Sequence, residues 1–294
     1  LGTWLKGRGR HMIDLHTHST YSDGTLTPTQ LVRLAAELGV TALALCDHNT
    51  VTGLPEFMAA AREYGVEGVP GVEFSTEYRG VELHILGLFI RPERYDEVKA
   101  LLRQMLQRKE QSNRELVERL KTAGIVLDYD RIKAGTPEGM VNRAVIGAEM
   151  VRLGYCESIQ DAFRGWLDQK RGYYQPPLRL DAFEAIRFIH SIGAVSVLAH
   201  PFLNLSQEEL PVFLQQAKRC GLDAMETYYP KFTTEQMQVL CRMAEEYGLL
   251  RSGGSDFHGD NKPDIRLGTG RDNLQVPADL LEAMKERLAR RKNI

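Results

Sequence analysis

Apolar positions along the chain keep two alternating rhythms. Short runs at 12–15, 41–46, 66–69, 72–76 and 81–90 have the length of strands. Between them apolar residues recur every three or four positions. Thr27-Pro28 offers an N-cap and a first-turn proline, and Leu31, Leu34, Ala35 and Leu38 follow at helical spacing up to Gly39. A second helix is predicted near 54–64, ended by Gly65, and Arg79-Gly80 marks a turn. The alternation then stops. Residues 95–175 read as helical almost throughout, with helices at 95–123, 139–153 and 158–167 and breakers at Gly124, Gly154 and Gly172. From about 180 it resumes as helix 181–191, strand 194–199, helix 206–219, strand 222–228, helix 233–247, strand 249–253 and helix 277–290. This order predicts a parallel α/β barrel built from 12–92 and 178–294, with 93–177 as a helical insertion capping one end.

A chain of 294 residues is long for a simple domain and ordinary for an α/β barrel. With 43% hydrophobic and 26% charged residues and a mean hydropathy of −0.31, collagen-like, disordered and coiled-coil classes are excluded. No run nears the roughly 18 apolar residues of a membrane span, so no membrane partner is expected. Residues 1–11 are Gly-rich, basic and aperiodic; they read as an appended leader without the apolar core of a signal peptide. Setting aside Lys6, Arg8 and Arg10 moves the formal net charge from −2 to −5, which argues against duplex DNA as a partner. Cys46, Cys156, Cys220 and Cys241 are scattered without a Cys-x-x-Cys pair and predict reduced thiols in a cytoplasmic protein.

The histidines change the picture. Leaving out His11, there are seven, at 16, 18, 48, 84, 190, 200 and 258. Six sit at or near predicted strand ends, and in a barrel the C-terminal strand ends converge on one face. In His16-Thr17-His18, alternate residues of an extended segment point the same way, so both imidazoles reach one ion. Asp23-Gly24 follows in a turn, Asp47-His48-Asn49 ends the second strand, Glu73 ends a short one, and His84 lies within the next. His200-Pro201 follows 194–199, and Asp256 and His258 place an acid and an imidazole two residues apart. A single strand-end histidine is more often structural than a ligand. Six beside Asp23, Asp47, Glu73 and Asp256 would be costly to bury without cations. His190, inside a predicted helix, is read as structural. Mixed imidazole and carboxylate donors suit Mn²⁺, Fe²⁺ or Zn²⁺.

The set His16-Thr17-His18-Ser19, Tyr21-Ser22-Asp23-Gly24, Asp47-His48-Asn49, Gly71-Val72-Glu73, His84, Ala199-His200-Pro201 and Gly254-Ser255-Asp256-Phe257-His258 resembles the PHP (polymerase and histidinol phosphatase) family of metal-dependent phosphoesterases. It is most similar to the stand-alone bacterial branch with a helical insert, which includes nucleoside 3′,5′-bisphosphate phosphatases and 5′-to-3′ exoribonucleases. The resemblance implies a distorted (βα)7 barrel with a trinuclear centre of three divalent ions. His16, His18, Glu73 and Asp256 would hold the first ion; Asp23, His48 and His258 the second. Glu73 would bridge to a third held with His84 and His200. Asp47 would lie behind these ligands, orienting an imidazole. Two departures stand out: Phe202-Leu203-Asn204-Leu205 follows Ala-His-Pro where relatives often carry a basic residue, and Tyr229 stands where many have His. Both alter the pocket for a second phosphate or leaving group.

The expected reaction is hydrolysis of a phosphomonoester of a small nucleotide, a 3′,5′-bisphosphate or 5′-monophosphate, by a metal-activated hydroxide. Asp23, His200 and His258 are its candidate catalytic residues. Arg143 at a helix start, Lys170 beside Arg171, and Tyr229 with Tyr228 and Lys231 are candidates for substrate binding. Alternatives with the same site are a 5′-to-3′ exoribonuclease on short 5′-phosphorylated RNA, a cyclic sugar-phosphate phosphodiesterase and a histidinol phosphatase. A non-catalytic metal-stabilised scaffold is the reading outside enzymes.

Overall fold

The structure, a computed structural model, describes residues 12–136 and 141–291. The leader expected at 1–11 lies outside the described residues. The first half of the chain gives β1 (Met12–Thr17), α1 (Pro28–Glu37), β2 (Val40–Leu45), α2 (Leu54–Tyr64), β3 (Glu67–Tyr78) and β4 (Val81–Leu88). Four helices follow: α3 (Tyr95–Thr122), α4 (Tyr129–Ala134), α5 (Arg143–Arg152) and α6 (Ile159–Arg164). The remainder is β5 (Leu180–Asp181), α7 (Ala182–Ser191), β6 (Val195–Leu198), α8 (Glu209–Arg219), β7 (Ala224–Tyr228), α9 (Thr234–Glu246), β8 (Leu250–Gly253) and α10 (Asp279–Arg291). Thr27 begins α1 with a capping box that includes Gln30, and Pro28 sits in the first turn, where its missing N–H costs nothing.

The strands form an α/β barrel that is distorted in a traceable way. Neighbours run β1-β2-β3-β4-β6-β7-β8, with β5 added to β3. The parallel expectation fails at β4, which is antiparallel to both β3 and β6. The cause is the Arg79-Gly80 turn, with φ of 51° and 79°: a two-residue hairpin joins only antiparallel strands. The two strands expected at 66–69 and 72–76 are one strand, β3. Its first part, up to Pro70, pairs with β2, and its second, from Gly71, pairs with β4. After β8 the chain returns to β1, where Phe257 bridges Thr17 and accepts from the His18 N–H (3.0 Å).

Alternate residues on β1, β2 and β6 (Ile13 and Leu15; Ala42 and Ala44; Val195 and Val197) join Leu86, Leu88 and Ala224 in one buried cluster. Leu274, Val276, Leu280, Leu281 and Met284 complete it from the C-terminal segment. Each fully buried aliphatic side chain contributes about 1.5–3 kcal/mol relative to an exposed one, so this is the rigid base from which the site is held.

By compactness the chain divides into one unit of residues up to Lys99 and from Leu180 onward, and a second, Ala100–Arg179. The second has its own core, where Leu116 and Leu120 of α3 join Ile146, Met150 and Leu167. The short α4, begun by an Asp128 cap, was not foreseen, and α5 starts at Arg143 instead of 139. Residues 137–140 lie outside the described residues. No described helix is long and apolar enough to cross a membrane.

Candidate metal centre

The residues expected to hold metal arrive from seven places. His16 and His18 end β1; Asp23 lies in the following loop; His48 follows β2; Glu73 is on β3 and His84 on β4; His200 follows β6, and Asp256 and His258 follow β8. The structure brings all nine together around Glu73. Its Oε2 is 3.2 Å from His16 Nε2, His18 Nε2 and His48 Nδ1, and its Oε1 is 2.8 Å from His84 Nδ1 and 3.1 Å from His200 Nε2. Asp256 Oδ1 faces the same centre, 3.3 Å from His18 Nε2 and 3.7 Å from His16 Nε2. Asp23, more than half exposed, sets Oδ1 3.2 Å from His258 Nε2, while its Oδ2 is 3.9 Å from His48 Nε2.

Among the described residues, three groups have donor atoms close enough together to hold an ion: His16, His18, Glu73 and Asp256; His18, Asp23, His48 and His258; and His48, Glu73 and His84. His18 therefore faces two groups, and His48 serves two through its two nitrogens. His200 joins the cluster through Glu73, with its ring centroid 5.1 Å from that of His84 and 5.9 Å from that of His16. The donor chemistry fits a divalent cation. His16 Nε2 and His18 Nε2 stand 3.1 Å apart, and both side chains and Glu73 are buried, so donor atoms converge where water cannot satisfy them. His200 Nδ1 is buried without a hydrogen-bond partner among the described residues. Cys46 belongs to the core instead, with Sγ directed at the Leu15 carbonyl.

Electrostatics agree with that reading. Burial opposes charge, but imidazoles around Glu73 and Asp256 hold both carboxyls well below the usual carboxylate range. Against its own burial, His16 is carried well above the ordinary imidazole value by Glu73, Glu226 and Asp256. His84, also opposed by burial, is raised to about 9 by Glu73 and Glu82. Burial prevails at His48, which falls to about 4. The cluster holds carboxylates ionised and favours added positive charge.

The backbone is arranged for this purpose. Asn49, His200 and Asp256 take positive φ (52°, 28° and 54°), a conformation that costs about 1–3 kcal/mol and concentrates at working sites. Gly254 is needed for space: a Cβ there would collide with the His16 backbone and come 2.5 Å from its Cβ.

Asp47 does not do what was expected. Its Oδ1 accepts from Ser19 N–H (2.7 Å) and Ser22 Oγ–H (2.7 Å), and its Oδ2 from Ser19 Oγ–H (2.6 Å). It fastens the loop that carries Asp23. The imidazole-orienting carboxylate is Glu226, fully buried, with Oε1 2.9 Å from His16 Nδ1 and Oε2 accepting the His200 N–H at 2.6 Å. A carboxylate only accepts, so Glu226 keeps a proton on His16 Nδ1 and leaves Nε2 as the nitrogen a metal would take. The Asp256 carbonyl, 2.8 Å from His258 Nδ1, does the same for His258. Asp14 is a second buried acid missed in the sequence. Ser255 N–H, Ser255 Oγ–H and Gly268 N–H donate to it at 2.8, 2.5 and 2.8 Å. The available signal was the same for both: an acid inside an otherwise apolar strand.

A cavity of about 290 Å³ opens on the cluster, lined by His48, Glu73, Glu82, His84, His200, Leu203, Asn204, Tyr229, Lys231, Asp256 and Lys262. Tyr229 is buried and donates Oη–H to Asp256 Oδ2 (2.8 Å). Lys262, another residue the sequence did not single out, donates from Nζ to the same oxygen at 2.6 Å. Tyr228 lines a different cavity with Phe232 and Met237. Within the second unit, Arg143 begins α5, but its guanidinium lies 4.1 Å from the Tyr174 ring centroid and 5.3 Å from that of Phe163. Lys170 is exposed on a short turn begun by Asp168. His190 is exposed in the last turn of α7.

A distorted α/β barrel with this many imidazoles and carboxylates at its strand ends defines a metal-dependent hydrolase. Residues 14–174 match the PHP domain, and the chain belongs to that family, as a metal-dependent phosphoesterase. A 5′-3′ exoribonuclease of Haemophilus influenzae is 38% identical over 83% of this chain and 89% of its own length. A 3′,5′-nucleoside bisphosphate phosphatase of Chromobacterium violaceum is 28% identical over 95% of this chain and 98% of its own. The crystal structure of a candidate metal-dependent phosphoesterase from Bifidobacterium adolescentis superposes with a TM-score of 0.65 at 28% identity, covering 93% of this chain and 95% of that one.

Proposed function

We propose that the chain hydrolyses phosphoesters of small nucleotides, a nucleoside 3′,5′-bisphosphate or 5′-monophosphate, at a centre of three divalent ions. The observation that carries this is Glu73, whose two oxygens face two different sets of histidines. His16, His18, Glu73 and Asp256 hold one ion; Asp23, His48 and His258 a second; Glu73, His84 and His200 a third. Mn²⁺, Fe²⁺ and Zn²⁺ all suit these donors. When bound, such ions activate water at neutral pH and neutralise charge on the phosphoryl oxygens.

The chain's own groups supply the rest. Glu226 and the Asp256 carbonyl hold a proton on Nδ1 of His16 and of His258, which leaves Nε2 of each as the nitrogen that would take an ion. Asp23 and His258 face each other at 3.2 Å, placing both donor atoms of the second ion's site on its more exposed side. His200 lines the cavity, its ring centroid 5.4 Å from that of Tyr229. Lys231, Lys262 and Asn204 lie where the non-reacting part of a phosphorylated substrate would sit. Four free cysteines suit a reducing compartment, and the cytoplasm is the proposed location.

The test is phosphate release from adenosine 3′,5′-bisphosphate, 5′-AMP and a 5′-phosphorylated trinucleotide, with Mn²⁺ restored to chelator-stripped protein. Metal-dependent release from either mononucleotide, lost in D23A and H258A, is the expected result. No release from either by folded, metal-loaded protein refutes it. A second reading, a 5′-to-3′ exoribonuclease, is favoured by the Haemophilus influenzae relative; it requires mononucleotides to be released from the trinucleotide.

A further inference from the structure

Asp256 divides its two oxygens between different tasks. Oδ1 faces His16 and His18, whereas Oδ2 is occupied by Tyr229 Oη–H at 2.8 Å and Lys262 Nζ at 2.6 Å. The acid has little freedom to exchange them. It is 5% exposed, its φ is 54°, and its N–H donates to the His16 carbonyl at 2.8 Å. Lys262 is held as well. The short turn Gly259–Asn261 leads into it, Asn261 Nδ2 donates to the Asp23 carbonyl (2.8 Å), and its own carbonyl accepts from the buried Ile265 (2.9 Å). A fixed cation thus sits against a cluster whose donors otherwise attract positive charge.

We propose that Tyr229 and Lys262 are positioning residues that restrict Asp256 to a single donor oxygen, and that the ammonium of Lys262 weakens the hold on the ion Asp256 helps to bind. This rests on the reading of Asp256 as a metal ligand. The physical argument has a definite sign. A carboxylate shared with an ammonium has less charge to offer a metal, and the ammonium itself repels a divalent ion across a few ångströms of partly buried space. Lysine therefore acts against metal affinity here, although it tightens the metal-free site. The ion at His16, His18, Glu73 and Asp256 is held less tightly than its four donors alone would hold it.

The experiment is a Mn²⁺ titration of chelator-stripped protein, followed by the electron paramagnetic resonance signal of free Mn²⁺, on wild type, K262M, K262R and D256N. K262M is expected to bind one equivalent of Mn²⁺ roughly tenfold more tightly than wild type. K262R, which keeps the charge, should stay within about twofold. A residue that merely braced the loop would give unchanged or weaker binding in K262M, and that result overturns the proposal. So does unchanged Mn²⁺ affinity with a raised KM, which would make Lys262 a substrate contact only. D256N separates the two levels of the argument. If it loses one equivalent, the ligand assignment holds and K262M decides the inference; if it binds like wild type, both fall.

Discussion

Glu226→Gln changes one oxygen to an NH₂ group in a fully buried position and leaves the volume almost unaltered. Two N–H donors converge on that carboxylate, His16 Nδ1–H at 2.9 Å and the His200 backbone N–H at 2.6 Å. A glutamine can accept from only one of them. If its oxygen serves His200, its NH₂ faces His16 Nδ1 and drives the proton to Nε2, the nitrogen 3.2 Å from Glu73. His16 then has no lone pair for a metal. If the amide is turned round, two donors oppose each other at His200, at a cost of about 1–3 kcal/mol. Loss of an orienting partner of this kind typically lowers metal affinity 10–100-fold. The assay is Mn²⁺ titration of chelator-stripped protein beside thermal unfolding with and without metal. E226Q should bind Mn²⁺ at least about tenfold more weakly, and the Tm gained on metal loading should shrink. Mn²⁺ affinity within about twofold of wild type would refute the argument, because the tautomer of His16 would then not depend on Glu226.

Gly254→Ala should lower stability by about 1–3 kcal/mol and impair metal binding, since the new Cβ must displace His16; a Tm and Mn²⁺ affinity equal to wild type would contradict this. Asp14→Asn should lower Tm and weaken Mn²⁺ binding, because its NH₂ would face one of the donors on Ser255 or Gly268; urea unfolding and metal titration check it. The metal-free protein should lose stability between about pH 6.5 and 9. The folded value of His84 is raised to about 9, so its stabilising contribution is full below the unfolded value and disappears as pH rises through the folded one. His48, lowered to about 4, acts only below that window, and a flat Tm from pH 6.5 to 9 would refute the prediction.

What could be read from the sequence was whatever local pattern encodes. The helices flanking the strands, the turn at Arg79-Gly80 and the convergence of distant histidines all follow from periodicity and strand-end position. The direction of β4 was encoded in the same two-residue turn, but the surrounding α/β rhythm outweighed it. The single strand β3 was hidden because Pro70-Gly71 looks like a break. It is the point where one neighbour gives way to the other. The acids behind the ligands were harder. Asp47 stands beside His48 in sequence yet bonds to Ser19 and Ser22, whereas Glu226 touches His16 from 210 positions away. Arg143 had the helix start expected of an anion site, but only the folded second unit reveals that Tyr174 and Phe163 flank its guanidinium.

The closure of β1 against the segment after β8 also sets the order in which this molecule becomes competent. His16 and His18 precede the closing segment by most of the barrel, yet the carbonyl and N–H groups that pair their backbone belong to Phe257 and Asp256. Contacts that span some 240 residues carry a large loop-closure cost and form late. The two donor groups that include Asp256 or His258 are therefore complete only once the segment after β8 has joined β1. Metal binding at those two groups thus depends on the two ends of the barrel having met.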